Sequence, residues 1–122
     1  KVIILEGDGN LLMNLGSLPM AGSLQPGNLL HIVLDNEVYA STGNQPTISN
    51  VIELEKIAKS ARYAYVKKVT TNENLKREVV YTLGKDGLSF LLVKIADQEE
   101  EREIGRVTHD PEQVKERFMS AM

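Results

Sequence analysis

Short runs of apolar or β-branched residues alternate with stretches of helical periodicity along this chain, and that order restricts the fold more than any other feature. The runs at residues 2–5, 29–34, 63–69 and 89–95 predict strands. The stretches between and after them predict helices at residues 11–24, with a break near 16–19, and at 51–61, 73–83 and 111–121. Strands that alternate with helices pair in parallel through right-handed crossovers. We therefore predict an α/β fold with a doubly wound parallel sheet.

The residues of each strand predict its place in the sheet. Residues 2–5 are all apolar, which is typical of a strand that is covered on both faces. Residues 63–69 alternate between apolar and polar side chains and therefore indicate a strand nearer an edge. His31 lies inside the second apolar run, and we interpret it as a structural histidine whose ring nitrogens find partners in the fold.

Two helix starts carry signals of their own. Ser17 is predicted to cap a helix that has Pro19 in its first turn, because proline has no amide to donate there. Asp110 is predicted to cap the last helix, with Pro111 at its first position and Gln113 at its third. Both signals indicate helices that begin at defined points of the chain.

Composition excludes several classes of function. The chain has no cysteine, so disulfides, thiolate metal sites and cysteine nucleophiles are excluded. Its net charge of −3 argues against nucleic acid or an acidic membrane surface as a partner. No run approaches the roughly 18 apolar residues that span a bilayer, and the first residues lack the layout of a signal peptide. We therefore expect a cytoplasmic protein.

Length and the first residue bear on domain organisation. At 122 residues the chain is most simply one domain. It begins with Lys1 directly before a predicted core strand, and natural domains seldom start at such a strand. We expect residues 1–122 to form one domain that is a fragment of a longer chain.

Polar residues follow the first two predicted strands at the point where each strand ends. Gly7-Asp8-Gly9-Asn10 follow the first strand, and Asp35-Asn36 follow the second. Ligands of open α/β sheets bind beyond the carboxyl ends of the strands, so these residues are expected to meet in one crevice. A carboxylate at Asp8, an amide oxygen at Asn36 and a carbonyl at Val38 would suit Mg²⁺ that is bound through phosphates.

The Gly-Asp-Gly motif alone does not require that interpretation. Its glycines permit positive φ and its aspartate can cap the following helix, so a purely structural turn remains open. The addition of Asn36 favours a site, as does the polar loop at residues 35–49, since a loop of that length in a compact domain is usually functional. The amides of Gly9 and Asn10, at a helix start, could then face diphosphate oxygens.

Taken together, these motifs resemble those of a known family. Gly7-Asp8-Gly9-Asn10 followed by Asp35-Asn36 resembles the Gly-Asp-Gly…Asn signature of thiamine diphosphate enzymes. The longer stretches at residues 7–17 and 35–45 resemble the decarboxylases of phosphonopyruvate and sulfopyruvate. The tail resembles the same family at Gly105-Arg106, Pro111 and residues 114–118. The resemblance covers most of the chain and implies the diphosphate-binding domain of the thiamine diphosphate fold.

The resemblance also implies roles for individual residues. Those implied to bind the cofactor are Gly7, Asp8, Gly9, Asn10, Asn36, Val38, Ser41 and Thr42. Among these, the implied Mg²⁺ ligands are Asp8, Asn36 and the Val38 carbonyl. Ser41 and Thr42, together with Gly43 and Gln45, would order a loop that closes over cofactor and substrate. No catalytic residue is assigned.

The implied activity is decarboxylation of a 2-oxoacid with thiamine diphosphate and Mg²⁺, most simply of phosphonopyruvate to phosphonoacetaldehyde and CO₂. Tyr39 and Asn44 resemble the sulfopyruvate enzymes, so a β-type subunit of sulfopyruvate decarboxylase is the alternative. In this family the glutamate that activates the aminopyrimidine ring lies on a pyrimidine-binding domain, and no segment here is assigned to it. The expected partner is that domain or an α-type subunit, in a homo- or hetero-oligomer. A non-catalytic diphosphate-binding module is the rival from another class.

Overall fold

The structure, a computed structural model, describes residues 1–96 and 107–122. Its strands are β1 (Val2–Gly7), β2 (Leu29–Asp35), β3 (Val38–Tyr39), β4 (Gln45–Pro46), β5 (Tyr65–Val69) and β6 (Ser89–Lys94). Its helices are α1 (Asp8–Met13), α2 (Ser17–Leu24), α3 (Leu54–Ser60), α4 (Asn72–Leu83) and α5 (Pro111–Ser120). Short 3-10 helices lie at Ala40–Thr42 and Ile48–Asn50. The predicted acidic segment at residues 97–103 and the Gly105-Arg106 part of the tail lie outside the described residues.

Four of the strands form one sheet in the order β1-β2-β6-β5, and every neighbouring pair is parallel. This confirms the predicted parallel α/β sheet. The remaining two strands, β3 and β4, form a separate antiparallel hairpin. Residues 35–49, which were predicted as one long loop, therefore contain this hairpin, one 3-10 helix and the start of a second.

The apolar core is divided between the two faces of the sheet. Alternate residues of β6 point to opposite faces, so Phe90 and Leu92 join one cluster while Leu91 and Val93 join the other. The first cluster also contains buried residues of α1, α2 and α3, and the second packs against residues of α4. Helices therefore cover both faces, as a doubly wound sheet requires.

The prediction that residues 2–5 are covered on both faces is wrong. Ile3 is 51% exposed and Leu5 is 63% exposed. The reason is topological, since β1 lies at an edge of the four-stranded sheet. On the face that carries Ile3 and Leu5, α4 packs over β5 and β6, which lie toward the opposite edge of the sheet from β1. The predicted edge position of the third long strand, by contrast, is confirmed for β5.

Helix boundaries follow the predictions with three corrections, the first of which is that α1 begins at Asp8 rather than at residue 11. The cap predicted at Ser17 is wrong, because α2 begins at Ser17 itself and Gly16 precedes it in an α conformation without a side-chain cap. The Ser17 amide donates to the Asn14 carbonyl, so the turn after α1 takes the place of a cap. The helix predicted at 51–61 begins only at Leu54, after a 3-10 helix.

The signal predicted for the last helix is confirmed. Asp110 Oδ1 accepts from the Gln113 amide at 2.9 Å, and Gln113 Oε1 accepts from the Asp110 amide at 3.2 Å. This reciprocal pair is a capping box, with Pro111 at the first helical position.

Among the described residues, no helix is long and apolar enough to cross a membrane.

The close approach of α2 to the end of α3 depends on Gly22. A Cβ atom at this position would lie 1.6 Å from the carbonyl oxygen of Ala61, which is backbone and cannot rotate away. Gly27, in the turn after α2, is the opposite case, because an added Cβ there would meet nothing within 4 Å.

We expect Gly22→Ala to lower the free energy of unfolding by about 3 kcal/mol or more, because overpacking against a side chain already costs roughly 1–3 kcal/mol. Gly27→Ala is the matched control and should change it by less than about 0.5 kcal/mol. Urea denaturation of both variants measures the difference. Equal stabilities would show that the two helices do not approach as described.

Candidate functional site

The carboxyl ends of β1 and β2 open into a cleft of about 340 Å³. The pairing of Gly7 with Leu34 in the β1–β2 register brings the turn after β1 beside the turn after β2. Seven of the eight residues predicted to bind a cofactor line this cleft: Gly7, Asp8, Gly9, Asn10, Asn36, Val38 and Ser41. The eighth, Thr42, does not line it. Its hydroxyl instead bonds to Tyr39 and Gln45 and closes the hairpin turn.

Asp8 is the acidic residue of the cleft, and it is only 1% exposed. It is the first residue of α1, which begins directly where β1 ends. Its Oδ2 accepts a hydrogen bond from Thr47 Oγ1 at 2.5 Å and lies 3.1 Å from Ser49 Oγ. Within the described residues, the hydrogen bonds to this carboxylate all end on Oδ2. Oδ1 is therefore left for another partner.

Thr47 and Ser49 are site residues that the sequence reasoning missed. Thr47 caps the second 3-10 helix by accepting from the Ser49 amide at 3.3 Å. The signal that could have found them is the Pro-Thr-x-Ser sequence at the end of the polar loop, which is typical of a hydroxyl that caps a turn. Their contact with Asp8 carries no such signal, because it joins positions 39 and 41 residues apart.

A second buried carboxylate, Asp35, stands next to Asp8 at the end of β2. Asp35 Oδ1 lies 2.8 Å from Ser49 Oγ, and Oδ2 lies 2.9 Å from Lys94 Nζ. Lys94 also pairs with Glu37. Burial lowers the pKa of Lys94, but its hydrogen bonds to Glu37 and Asp35 outweigh that effect and raise the pKa above its usual value. Lys94 is therefore charged at neutral pH and compensates Asp35.

Asn36 and Val38 are held in one short turn. The Val38 amide donates to Asn36 Oδ1 at 3.2 Å, and Glu37 between them has a φ of 65°. The oxygen of a carboxamide has two lone pairs, so Asn36 Oδ1 can accept this hydrogen bond and still coordinate a cation. Among the described residues no group of three His, Asp or Glu side chains converges on a metal site. In addition to Asp8, a cation in the cleft would need a carboxamide oxygen, a backbone carbonyl oxygen and oxygens from a bound molecule.

Gly9 is required by the packing of Tyr39 over the first turn of α1. A Cβ at Gly9 would lie 2.6 Å from two carbons of the Tyr39 ring. Because Tyr39 belongs to β3, this contact sets the distance between the hairpin and the start of α1. The Gly-Asp-Gly turn thus combines a buried carboxylate with a position where a side chain would displace the Tyr39 ring.

On the other side of α1, the buried His31 pairs with the partly buried Glu6. His31 is 4% exposed, with Nε2 at 2.5 Å from Glu6 Oε1 and Nδ1 at 3.2 Å from the Tyr63 hydroxyl. Burial, with a further contribution from Glu6, raises the pKa of Tyr63 to about 12, so its hydroxyl keeps its proton. These contacts confirm the interpretation of His31 as a structural histidine. Glu6 also accepts from Asn10, which links this pair to the cleft.

Residues 1–93 match the family described as thiamine pyrophosphate enzyme, C-terminal TPP binding domain. The match covers most of the chain, and the chain therefore belongs to this family. It is similar to phosphonopyruvate decarboxylase of Streptomyces viridochromogenes, with 37% identity over 96% of this chain and 29% of that protein. It is also similar to the β subunit of sulfopyruvate decarboxylase of Methanococcus maripaludis, with 34% identity over 100% of this chain and 64% of the subunit.

A further relative is the β subunit of sulfopyruvate decarboxylase of Methanothermobacter thermautotrophicus, with 35% identity over 98% of this chain and 60% of the subunit. The chain thus spans less than a third of the phosphonopyruvate decarboxylase and less than two thirds of the β subunits that it matches. Two groups of relatives with differently named activities therefore match it at nearly the same identity.

Lys94→Met tests the charge balance at this end of the sheet. Removal of one member of a buried ion pair costs roughly 3–5 kcal/mol. We expect a loss of about 3 kcal/mol in the free energy of unfolding, at the lower end of that range because the Lys94 side chain is 22% exposed. Lys76→Met, at an exposed position of α4, is the control and should have little effect. Urea denaturation at pH 7 compares the two, and similar losses would contradict the assigned role of Lys94.

Proposed function

We propose that this chain is the part of a thiamine diphosphate-dependent 2-oxoacid decarboxylase that binds the diphosphate and Mg²⁺. The observation that carries the proposal is the convergence of Asp8, Asn36 and Val38 on one cleft at the carboxyl ends of the strands. These residues offer one carboxylate, one carboxamide and one backbone carbonyl, which are hard oxygen donors of the kind that Mg²⁺ prefers. Membership of the thiamine pyrophosphate enzymes supports the assignment of the cofactor.

The donor set of the cleft fits a metal-bound diphosphate. The Asp8 carboxylate is buried, and a buried charge needs a partner in addition to hydroxyl donors. A cation at Oδ1 would provide that partner, while Asn36 and the Val38 carbonyl would complete the protein's share of the ligands. The amides of Gly9 and Asn10 and the Ser41 hydroxyl would face the phosphate oxygens. The proposed cofactor-binding residues, Gly7, Asp8, Gly9, Asn10, Asn36, Val38, Ser41 and Thr42, all lie around the cleft or in the hairpin beside it.

The chain's own contribution to the reaction is binding and orientation. When bound, thiamine diphosphate supplies the nucleophilic carbon and the electron acceptance that decarboxylation of a 2-oxoacid requires. Asp8, Asn36 and Val38 anchor the charged end of the cofactor, and the hairpin limits access of water to it. Residues that act on the aminopyrimidine ring would come from a pyrimidine-binding domain or an α-type subunit. We therefore propose activity only in an assembly, in the cytoplasm, with that partner.

The proposed substrate is phosphonopyruvate, and sulfopyruvate is the alternative. The relatives named phosphonopyruvate decarboxylase include one with 37% identity, and those named sulfopyruvate decarboxylase subunit β reach 35%. Tyr39 and Asn44 are the positions whose residue types favour the alternative, and Tyr39 lines the cleft. Both substrates are pyruvates with a second anionic group.

A non-catalytic diphosphate-binding module is the rival proposal, and it would bind the cofactor without turnover.

Asp8→Ala tests the metal assignment in the complete protein. We expect the affinity for Mg²⁺ and thiamine diphosphate to fall by at least about 100-fold, because the variant loses the carboxylate of the proposed site. Asp86→Ala is the control, since residue 86 is exposed and precedes β6, at the opposite end of the sheet. Isothermal titration calorimetry measures both variants. Unchanged affinity in Asp8→Ala would refute the site.

Substrate preference tests the proposed reaction. A site that pairs a second anion leaves its donors unsatisfied when that anion is missing, and we expect pyruvate to be disfavoured by about a thousandfold in kcat/KM. Steady-state assays of the assembled enzyme compare phosphonopyruvate, sulfopyruvate and pyruvate, with phosphonopyruvate expected to rank first. A first rank for sulfopyruvate would establish the alternative. Cofactor binding without turnover of any of the three would favour the non-catalytic module.

A further inference from the structure

The hydroxyls of Thr47 and Ser49 contact Asp8 at the point where the hairpin returns to the sheet. All three residues are buried, with Thr47 3% exposed, Ser49 7% exposed and Asp8 1% exposed. Both hydroxyl oxygens lie within hydrogen-bond distance of the same carboxylate oxygen, Oδ2. Three polar side chains from two distant segments thus meet where little water can reach them.

The direction of the Thr47 hydrogen bond follows from its other contacts. Thr47 Oγ1 accepts from the Ser49 amide at 3.3 Å, and Asp8 Oδ2 can only accept when the carboxyl is ionised. The Thr47 proton therefore goes to Asp8, and the short distance of 2.5 Å is that of a hydrogen bond from a hydroxyl to a charged oxygen. Thr47 is thereby fixed on one side by backbone and on the other by the carboxylate.

Ser49 connects the two buried carboxylates. Its Oγ lies 3.1 Å from Asp8 Oδ2 and 2.8 Å from Asp35 Oδ1. Ser49 Oγ also lies 2.9 Å from Thr47 Oγ1. A hydroxyl has one proton, so Ser49 can donate to only one of these three oxygens at a time. Asp35 already has Lys94 at 2.9 Å, whereas Asp8 has no cationic side chain within hydrogen-bond distance among the described residues. Asp8 is the carboxylate whose charge is left to be compensated.

We propose that Thr47 and Ser49 are positioning residues for the cation site: they hold Asp8 by Oδ2 so that Oδ1 is presented to the metal. The inference rests on the proposed function and adds two residues to it that do not touch the metal themselves. Groups that hydrogen-bond to a ligating side chain fix its orientation, and their loss typically lowers metal affinity by about 10- to 100-fold.

The same contacts couple the cation site to the seating of the hairpin. Thr47 follows β4 directly, and its amide donates at 2.8 Å to the carbonyl of Glu37, which directly precedes β3, so this bond closes the base of the hairpin. If the hairpin moved away from the sheet, Asp8 would lose its hydrogen bond from Thr47, and Val38 would leave the cleft at the same time. Cation binding and hairpin seating should therefore favour each other, since each is stronger when the other is in place.

The test measures Mg²⁺ binding to the complete protein with its pyrimidine-binding partner, at saturating thiamine diphosphate, by isothermal titration calorimetry. We expect Thr47→Val to weaken Mg²⁺ binding by about 10- to 100-fold, because it removes the hydroxyl and keeps the shape. Thr47→Ser restores a hydroxyl and should stay within about threefold of the wild type. Ser49→Ala should weaken binding by about tenfold. If Thr47→Val does not fold, Ser49→Ala replaces it in the test, and unchanged Mg²⁺ affinity in Ser49→Ala would then overturn the proposal.

Two matched controls separate positioning from stability. Thr82→Val removes a fully buried hydroxyl that donates to the Glu78 carbonyl in α4, and Ser89→Ala removes one at the first residue of β6. Both should leave Mg²⁺ affinity unchanged, whatever their effect on the melting temperature of the cofactor-free protein. A cofactor-free melting temperature that falls in Thr47→Val with unchanged Mg²⁺ affinity would overturn the proposal. Failure of the wild-type protein to bind Mg²⁺ and thiamine diphosphate at all would instead overturn the proposed function.

Discussion

Two carboxylates buried at neighbouring strand ends, Asp8 and Asp35, are the constraint around which this end of the protein is organised. The parallel register of β1 and β2 brings them side by side, and both are 1% exposed. Like charges at that depth repel strongly unless other groups compensate them. Lys94 compensates Asp35, two hydroxyls lie within hydrogen-bond distance of Asp8, and the cleft beside Asp8 leaves room for a cation. The arrangement is costly for a fold and useful for binding a charged cofactor.

The rest of the fold holds these charged groups in position relative to one another. Apolar clusters on both faces fix the strands, and β6 contributes both to the core and to charge balance, since Lys94 is its last residue. The Tyr39 ring packs against Gly9, so the hairpin contacts the first turn of α1. The same few elements therefore pack the core and compensate the buried charges.

Sequence reasoning found the features that are local in the chain. The Gly-Asp-Gly turn and Asn36 follow their strands directly, so strand order alone placed them in one crevice. Thr47 and Ser49 escaped because their importance comes from contact with Asp8, about 40 residues away along the chain. The exposure of Ile3 and Leu5 also escaped, since four apolar residues in a row look the same at an edge as at the centre of a sheet. Lys94 appears in the sequence as an ordinary lysine after an apolar run, and only the register with Asp35 gives it a role.

The hairpin has a hydrogen-bonded base and a separate tip. Its base is closed by the pairing of Val38 with Pro46 and of Tyr39 with Gln45, while residues 40–44 form the turn beyond it. Because Thr47 at the base bonds to Asp8, substitutions at tip positions outside the proposed cofactor-binding set can alter what the cleft admits without moving the groups proposed to hold the cation. Diversification of substrate range in such a protein can therefore proceed at exposed tip positions such as Ala40, while selection for cofactor retention acts on a set that includes Ser41 and Thr42.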